Sequence, residues 1–177
     1  QILVSNGGKQ SCYNLCQAPL NDGDGSIIPA PDWVSYPDMV LLAGGTPVFI
    51  PTTAATRFKI TAAQLEAAIT PRTRLFWINS PSNPSGMAYT RAELGALGEV
   101  LRKHPGILIA TDDMYEKILW APEPFADIIN VCPDLYERTV VIHAVSKTYS
   151  MTGWRIRWAC GPAQPMPHPD PWEVNGR

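Results

Sequence analysis

The sequence predicts an α/β domain, a three-layer α/β/α arrangement around a mainly parallel sheet. Short apolar runs of strand length alternate with stretches of helical period along most of the 177 residues. Turn and capping signals mark nearly every change of period. Hydrophobic residues at 45% against 17% charged allow one domain with a sizeable core. The formal net charge of -2 gives no attraction for nucleic acid or an anionic membrane. No apolar run approaches the roughly 20 residues of a membrane-spanning helix, and no segment has the pattern of a signal peptide.

In chain order, Ile2 to Ser5 reads as a strand, and Gly7-Gly8 opens a helix that Pro19 ends. The run from Asn21 to Gly25 is a turn, followed by a short strand, Ser26-Ile27-Ile28. Trp33 to Leu42 fits a helix despite Pro37, closed by Gly44-Gly45, and Pro47 to Ile50 returns as a strand. Thr61 with Gln64, and Thr90 with Glu93, have capping-box spacing, in which each hydroxyl and each longer side chain satisfies a free backbone N–H. The first box opens a helix through Ile69. The second opens one with Leu94, Leu97, Val100 and Leu101 on a single face. Leu75 to Asn79 is a strand between them. After Gly106, Ile107 to Thr111 is a strand that delivers Asp112 at its carboxyl end, and Thr139 to Ala144 leads directly into Ser146-Lys147. Residues 1–163 therefore read as one domain. Residues 164–177, proline-dense and without either period, read as a divergent, disordered tail.

Ligands of open α/β sheets gather at the carboxyl ends of strands, so Asn79 to Asn83, Asp112 and Lys147 are expected to converge. Gly7-Gly8-Lys9 sits where a strand hands over to a helix, whose free N–H groups favour an anion. It lacks the spacing of a dinucleotide or Walker motif. Asp112 and Asp113 should point to opposite sides of the strand, leaving one carboxylate to face a cationic ring nitrogen. Tyr115 reads as core or as a phenol beside that ring. Burial of Lys147 would disfavour its charged form and expose a nucleophilic amine. Arg155 and Arg157, two apart on a strand-like run, should face one side, as a phosphate clamp or a salt-bridged pair. Trp33 could stack on a flat ring or pack in the core. Cys12, Cys16, Cys132 and Cys160 have no zinc-site spacing and read as reduced thiols, and the three histidines form no metal-spaced cluster.

The segments SNGGKQ, YNL, IIPAPDWVSYPDMVLLAGGTPVF, AAITPRTRLFWINSPSNPSG, TDDMYE and AVSKTYSMTGWRIRWACGP together resemble the class I aminotransferases, pyridoxal-phosphate enzymes of fold type I, and within them the bacterial aspartate aminotransferase branch. The resemblance implies pyridoxal 5'-phosphate as cofactor and transfer of an amino group between an amino acid, aspartate by this branch, and a 2-oxo acid such as 2-oxoglutarate. It implies Lys147 as the Schiff-base lysine and proton-moving base, and Asp112 as the group that keeps the ring nitrogen protonated. Asn83 and Tyr115 would bond the ring hydroxylate, Trp33 would stack, and Gly7, Gly8, Lys9 and Arg155 would surround the phosphate. It also implies cis peptide bonds at Ala30-Pro31 and Asn83-Pro84 and a homodimer in the complete protein, while the reduced thiols point to a cytoplasmic location.

Several positions depart from the family pattern. Arg157 stands where a small residue is usual and Asp32 where an aromatic is common; Cys12, Pro19 and Gly25 are also out of pattern. The resemblance further implies an N-terminal arm and a C-terminal small domain outside these 177 residues, carrying the arginine for the substrate carboxylate and a partner-subunit tyrosine for the phosphate. On that expectation the chain is a fragment of the large domain. Two alternatives stay open: an inactive cofactor-binding fragment, and a lyase or aminocyclopropane-carboxylate-synthase-like enzyme on the same fold.

Overall fold

The computed structural model describes residues 1–163. Its strands are β1 (Ile2–Asn6), β2 (Gly25–Ala30), β3 (Thr46–Pro51), β4 (Thr73–Asn79), β5 (Leu108–Asp112), β6 (Thr139–Ala144) and β7 (Ile156–Cys160). Its α-helices are α1 (Gly8–Gln17), α2 (Ser35–Leu42), α3 (Ala62–Ala68), α4 (Arg91–Arg102) and α5 (Ile128–Val131). All strands join one sheet in the order β1-β7-β6-β5-β4-β2-β3. The pairs among β2, β3, β4, β5 and β6 are parallel, while β7 runs antiparallel to both β6 and β1.

Alternation along the strands splits the core between the two sheet faces. Ile27, Phe76, Ile78 and Ile109 point to one face and pack with Leu65 of α3, Leu94, Leu97, Val100 and Leu101 of α4, and Ile128 of α5. Ile28, Leu75, Trp77, Leu108, Ala110 and Ile142 point to the other and meet Cys12 and Cys16 of α1 with Tyr36, Met39 and Val40 of α2. The result is the expected three layers. Each large aliphatic side chain so buried contributes about 1.5–3 kcal/mol.

Both capping boxes form: Thr61 accepts from the Gln64 N–H and Thr90 from the Glu93 N–H. Glu93 also bonds Lys59 Nζ at 2.6 Å, fastening the start of α4 to the segment before α3. The helix read from Trp33 begins two residues later, at Ser35, which puts Pro37 in the first turn, where its missing N–H costs no intrahelical bond. Trp33 is left in the lead-in, its carbonyl accepting from Tyr36 N at 3.0 Å.

The two arginines read as neighbours on one strand are not. Arg155 lies ahead of β7 with φ 53, a left-handed backbone that breaks the alternation, and only Arg157 is in the strand. Cis peptide bonds occur at Ala30-Pro31, Ser80-Pro81 and Asn83-Pro84. The tail assigned to residues 164–177 lies outside the described residues.

Candidate active site at the carboxyl edge of the sheet

β4, β5 and β6 end side by side, with Asn79 opposite Asp112 and Asp112 opposite Ile142. The reversed β7 starts where β6 ends. β1, reversed again, finishes beside it, with Asn6 opposite Ile156. One sheet edge therefore receives the ends of β1, β4, β5 and β6 and the start of β7. A cavity of about 260 Å³ opens there. Its wall includes Gly8, Lys9, Trp33, Asn83, Asp112, Tyr115, Lys147 and Arg155, while Gly7 and Arg157, also candidates from the sequence, do not line it.

Asp112 is 3% exposed, with Oδ2 hydrogen-bonded and Oδ1 in charge contact alone. Tyr36 Oη donates to Oδ2 at 2.8 Å, and Arg157 Nη2 lies 2.8 Å from Oδ1. Asp113 turns the other way, as alternation requires. It accepts from Thr111 Oγ1 at 2.6 Å, and burial pushes its carboxyl well above the usual range. Asn79 Nδ2 donates to the Asp112 carbonyl at 2.7 Å while its Oδ1 accepts from the Asn83 N–H at 2.7 Å. One side chain thus fixes the loop that presents Asn83.

Tyr115, on the turn after β5, is half-buried, and its phenol is raised by burial first and then by the Asp112 charge. It stays protonated and able to donate. Thr148 Oγ1 donates to the Met114 carbonyl at 2.8 Å, tying the Lys147 turn to the Tyr115 turn. Lys147 itself is exposed at the cavity mouth, which corrects the expectation of a desolvated amine: a turn after β6, not the strand, carries it.

Trp33 is half-buried, edge-on to Tyr36 with centroids 5.3 Å apart, and Lys9 Nζ lies 5.9 Å from the Trp33 ring. Gly7 is set just behind the wall, at φ 83 and ψ 168, a region open essentially only to glycine. The guanidinium of Arg155 lies against it where a Cβ would collide. An α-helix of 10 residues starts at Gly8, so free N–H groups and a guanidinium share one end of the cavity.

Sequence reasoning missed Tyr36 and the destination of Arg157. For Tyr36 a signal existed, since it follows Trp33 by three residues at the start of a helical pattern. For Arg157 there was none beyond its departure from the family pattern.

Sheet order, layers and cavity define an α/β domain whose candidate site lies at strand ends, beside a helix N-terminus. The chain belongs to the aminotransferase class I and II family, whose model matches residues 1–170. An aspartate/prephenate aminotransferase from Nitrosomonas europaea is 63% identical over 163 residues, which cover 92% of this chain and 41% of that protein. The aspartate aminotransferase structure from Rhizobium meliloti superposes with a TM-score of 0.89 at 48% identity, covering 91% of this chain and 40% of that one. The aromatic aminotransferase of Pyrococcus horikoshii gives a TM-score of 0.87 at 33% identity, covering 92% of this chain and 43% of that one. The fold is therefore that of the fold-type-I aminotransferases, and the chain spans about two-fifths of the length of these relatives.

Proposed function

We propose that this chain is the cofactor-holding part of an aminotransferase that uses pyridoxal 5'-phosphate. In the complete protein it moves an amino group between aspartate and a 2-oxo acid, either 2-oxoglutarate or the prephenate named for its relatives. The observation that carries the reading is one cavity walled by Asp112, Tyr115, Trp33, Lys147 and Arg155 together. The cofactor fits this wall, because Gly7 lacks the Cβ that would block the Arg155 end and buried Asp112 Oδ1 has no aligned donor among the described residues.

When bound, the cofactor supplies an aldehyde that takes up an amine and a ring that accepts electrons from the substrate's α-carbon. Lys147 Nζ would be the amine that holds the aldehyde and the base that moves the proton at that carbon. Asp112 would meet the ring nitrogen, Tyr115 Oη and Asn83 would donate to the ring hydroxyl oxygen, and Trp33 would pack on the ring. The N–H groups at Gly8 and Lys9, with Arg155, hold the phosphate. Substrate choice is assigned to groups beyond these, since aspartate and aromatic aminotransferases both share this domain's fold. A homodimer in the cytoplasm is proposed for the complete protein on the family resemblance.

The test is to mix the purified chain with pyridoxal phosphate, reduce with borohydride and map the modified peptide by mass spectrometry. A pyridoxyl group on Lys147, abolished by Lys147→Ala, is expected. Modification that survives the substitution would show the lysine assignment to be wrong. Coverage of two-fifths of the relatives' length favours a second reading, cofactor binding without turnover. Oxaloacetate formation from aspartate and 2-oxoglutarate by the chain loaded with pyridoxal phosphate and left unreduced would exclude it.

A further inference from the structure

Arg157 lies just behind the cavity, and the reading above gives it no task. Its side chain is completely buried. Space for it comes from small neighbours: Ser5 and Ala144 stand opposite it on β1 and β6, and Gly8 would strike Nη1 if it carried a Cβ. None of its three guanidinium nitrogens has an aligned hydrogen-bond acceptor among the described residues. Its partner is the Asp112 carboxylate, in close charge contact at 2.8 Å rather than in line.

A buried guanidinium is tolerated only beside a compensating anion. Asp112 is therefore committed to one cation before any ligand arrives. Apart from His143, whose imidazole is lowered by burial and so kept neutral, and the basic side chains of Lys9, Lys147 and Arg155 on the cavity wall, the groups at the pair are Tyr36, Cys12 and Tyr115. Burial raises all three, so they remain neutral and add no second negative charge. Asp113 is turned away, onto Thr111.

We propose that Arg157 is a positioning residue that neutralises the Asp112 carboxylate, so that a pyridine nitrogen bound against Asp112 stays unprotonated at neutral pH. The assignment rests on the cofactor reading and deepens it. A ring cation at this place would be the second positive charge on one carboxylate. A like charge close to a titrating nitrogen lowers its protonation by about one to three pH units. The uncharged ring is a weaker electron acceptor than the ring held by an Asp112 free of Arg157.

The decisive measurement uses pyridoxal phosphate labelled with 15N at the ring nitrogen, bound to the wild-type chain and followed by NMR as a function of pH. Protonated and unprotonated pyridine nitrogens have widely separated shifts. The unprotonated signal is expected at neutral pH. Arg157→Met, which keeps the length and removes the charge, should raise the titration by about one to three units, and Arg157→Lys should restore the wild-type position. A protonated nitrogen in the wild type overturns the assignment without any variant, so a variant that fails to fold leaves the test intact. An unchanged titration in a folded Arg157→Met also overturns it, and in either case borohydride labelling of Lys147 persists. Loss of both the bound signal and the Lys147 label in the wild type overturns the cofactor reading itself, and this assignment with it.

Discussion

Tyr36→Phe removes one oxygen from the centre of the site and leaves its shape. The ring keeps its stack on Trp77, with centroids 4.5 Å apart, and its edge contact with Trp33. What disappears is the 2.8 Å bond to Asp112 Oδ2, between side chains that are 2% and 3% exposed. A hydrogen bond to a charged acceptor contributes about 1.5–3 kcal/mol. Arg157 on the other oxygen softens the loss, which places it at the lower end, about 1.5–2 kcal/mol. For a domain of this size each kcal/mol shifts Tm by about 2–4 °C, so a fall of about 3–8 °C is expected. Burial, and next the Asp112 charge, push the Tyr36 phenol well above its usual range, so the loss should not vary across neutral pH. Thermal melts followed by circular dichroism would measure it, with urea titrations showing a lower midpoint at unchanged slope. A Tm within about 1 °C of wild type would refute the view that this bond stabilises Asp112.

Gly7→Ala forces a side chain into a conformation costing about 1–3 kcal/mol and onto the Arg155 guanidinium; pyridoxal phosphate should bind about ten-fold more weakly or worse by titration calorimetry. Unchanged affinity would remove this corner from the phosphate assignment. In α4, Gly95→Ala meets only ordinary contact with Val131 and should stabilise by about 0.5–1 kcal/mol, as glycine-to-alanine changes in helices do. Gly98→Ala instead strikes the Cys132 thiol and should destabilise by about 1–3 kcal/mol, so equal melting shifts for the two would contradict the packing. Burial raises the Glu93 carboxyl, but Lys59 and the Thr90 N–H and hydroxyl outweigh it and hold the group below its ordinary value. Its stabilisation is therefore complete above the unfolded value near 4.5 and is lost as pH falls through the lower folded one. The melting advantage of wild type over Glu93→Gln should shrink on acidification below that point, and a gap that widens there would reverse the sign.

Much of this architecture was legible in local patterns. Both capping boxes, the apolar face of α4 and the strand ending at Asp112 follow from periods and end signals that tertiary packing does not override. The site was legible because strand ends collect ligands and because six segments carry a family resemblance. Strand direction was not, since nothing within residues 156–160 distinguishes an antiparallel strand from a parallel one. The two arginines were misread for a related reason: one left-handed residue at Arg155 cancels the alternation that a continuous strand would impose. Lys147 was expected to be buried because it follows an apolar strand closely, but a turn lifts it to the cavity mouth. The Arg157–Asp112 contact joins residues 45 positions apart, and no local period reports such a pairing.

The pairing of β1 with β7 makes the anion-binding corner a seam between the first and last strands described. Residues leave the ribosome in order, so Arg155 follows Gly7 only once β2 to β6 have been made between them. A nascent chain can complete its parallel core and still have no clasp for a phosphate. Ligand capture then waits until Arg155 and β7 have followed the parallel strands.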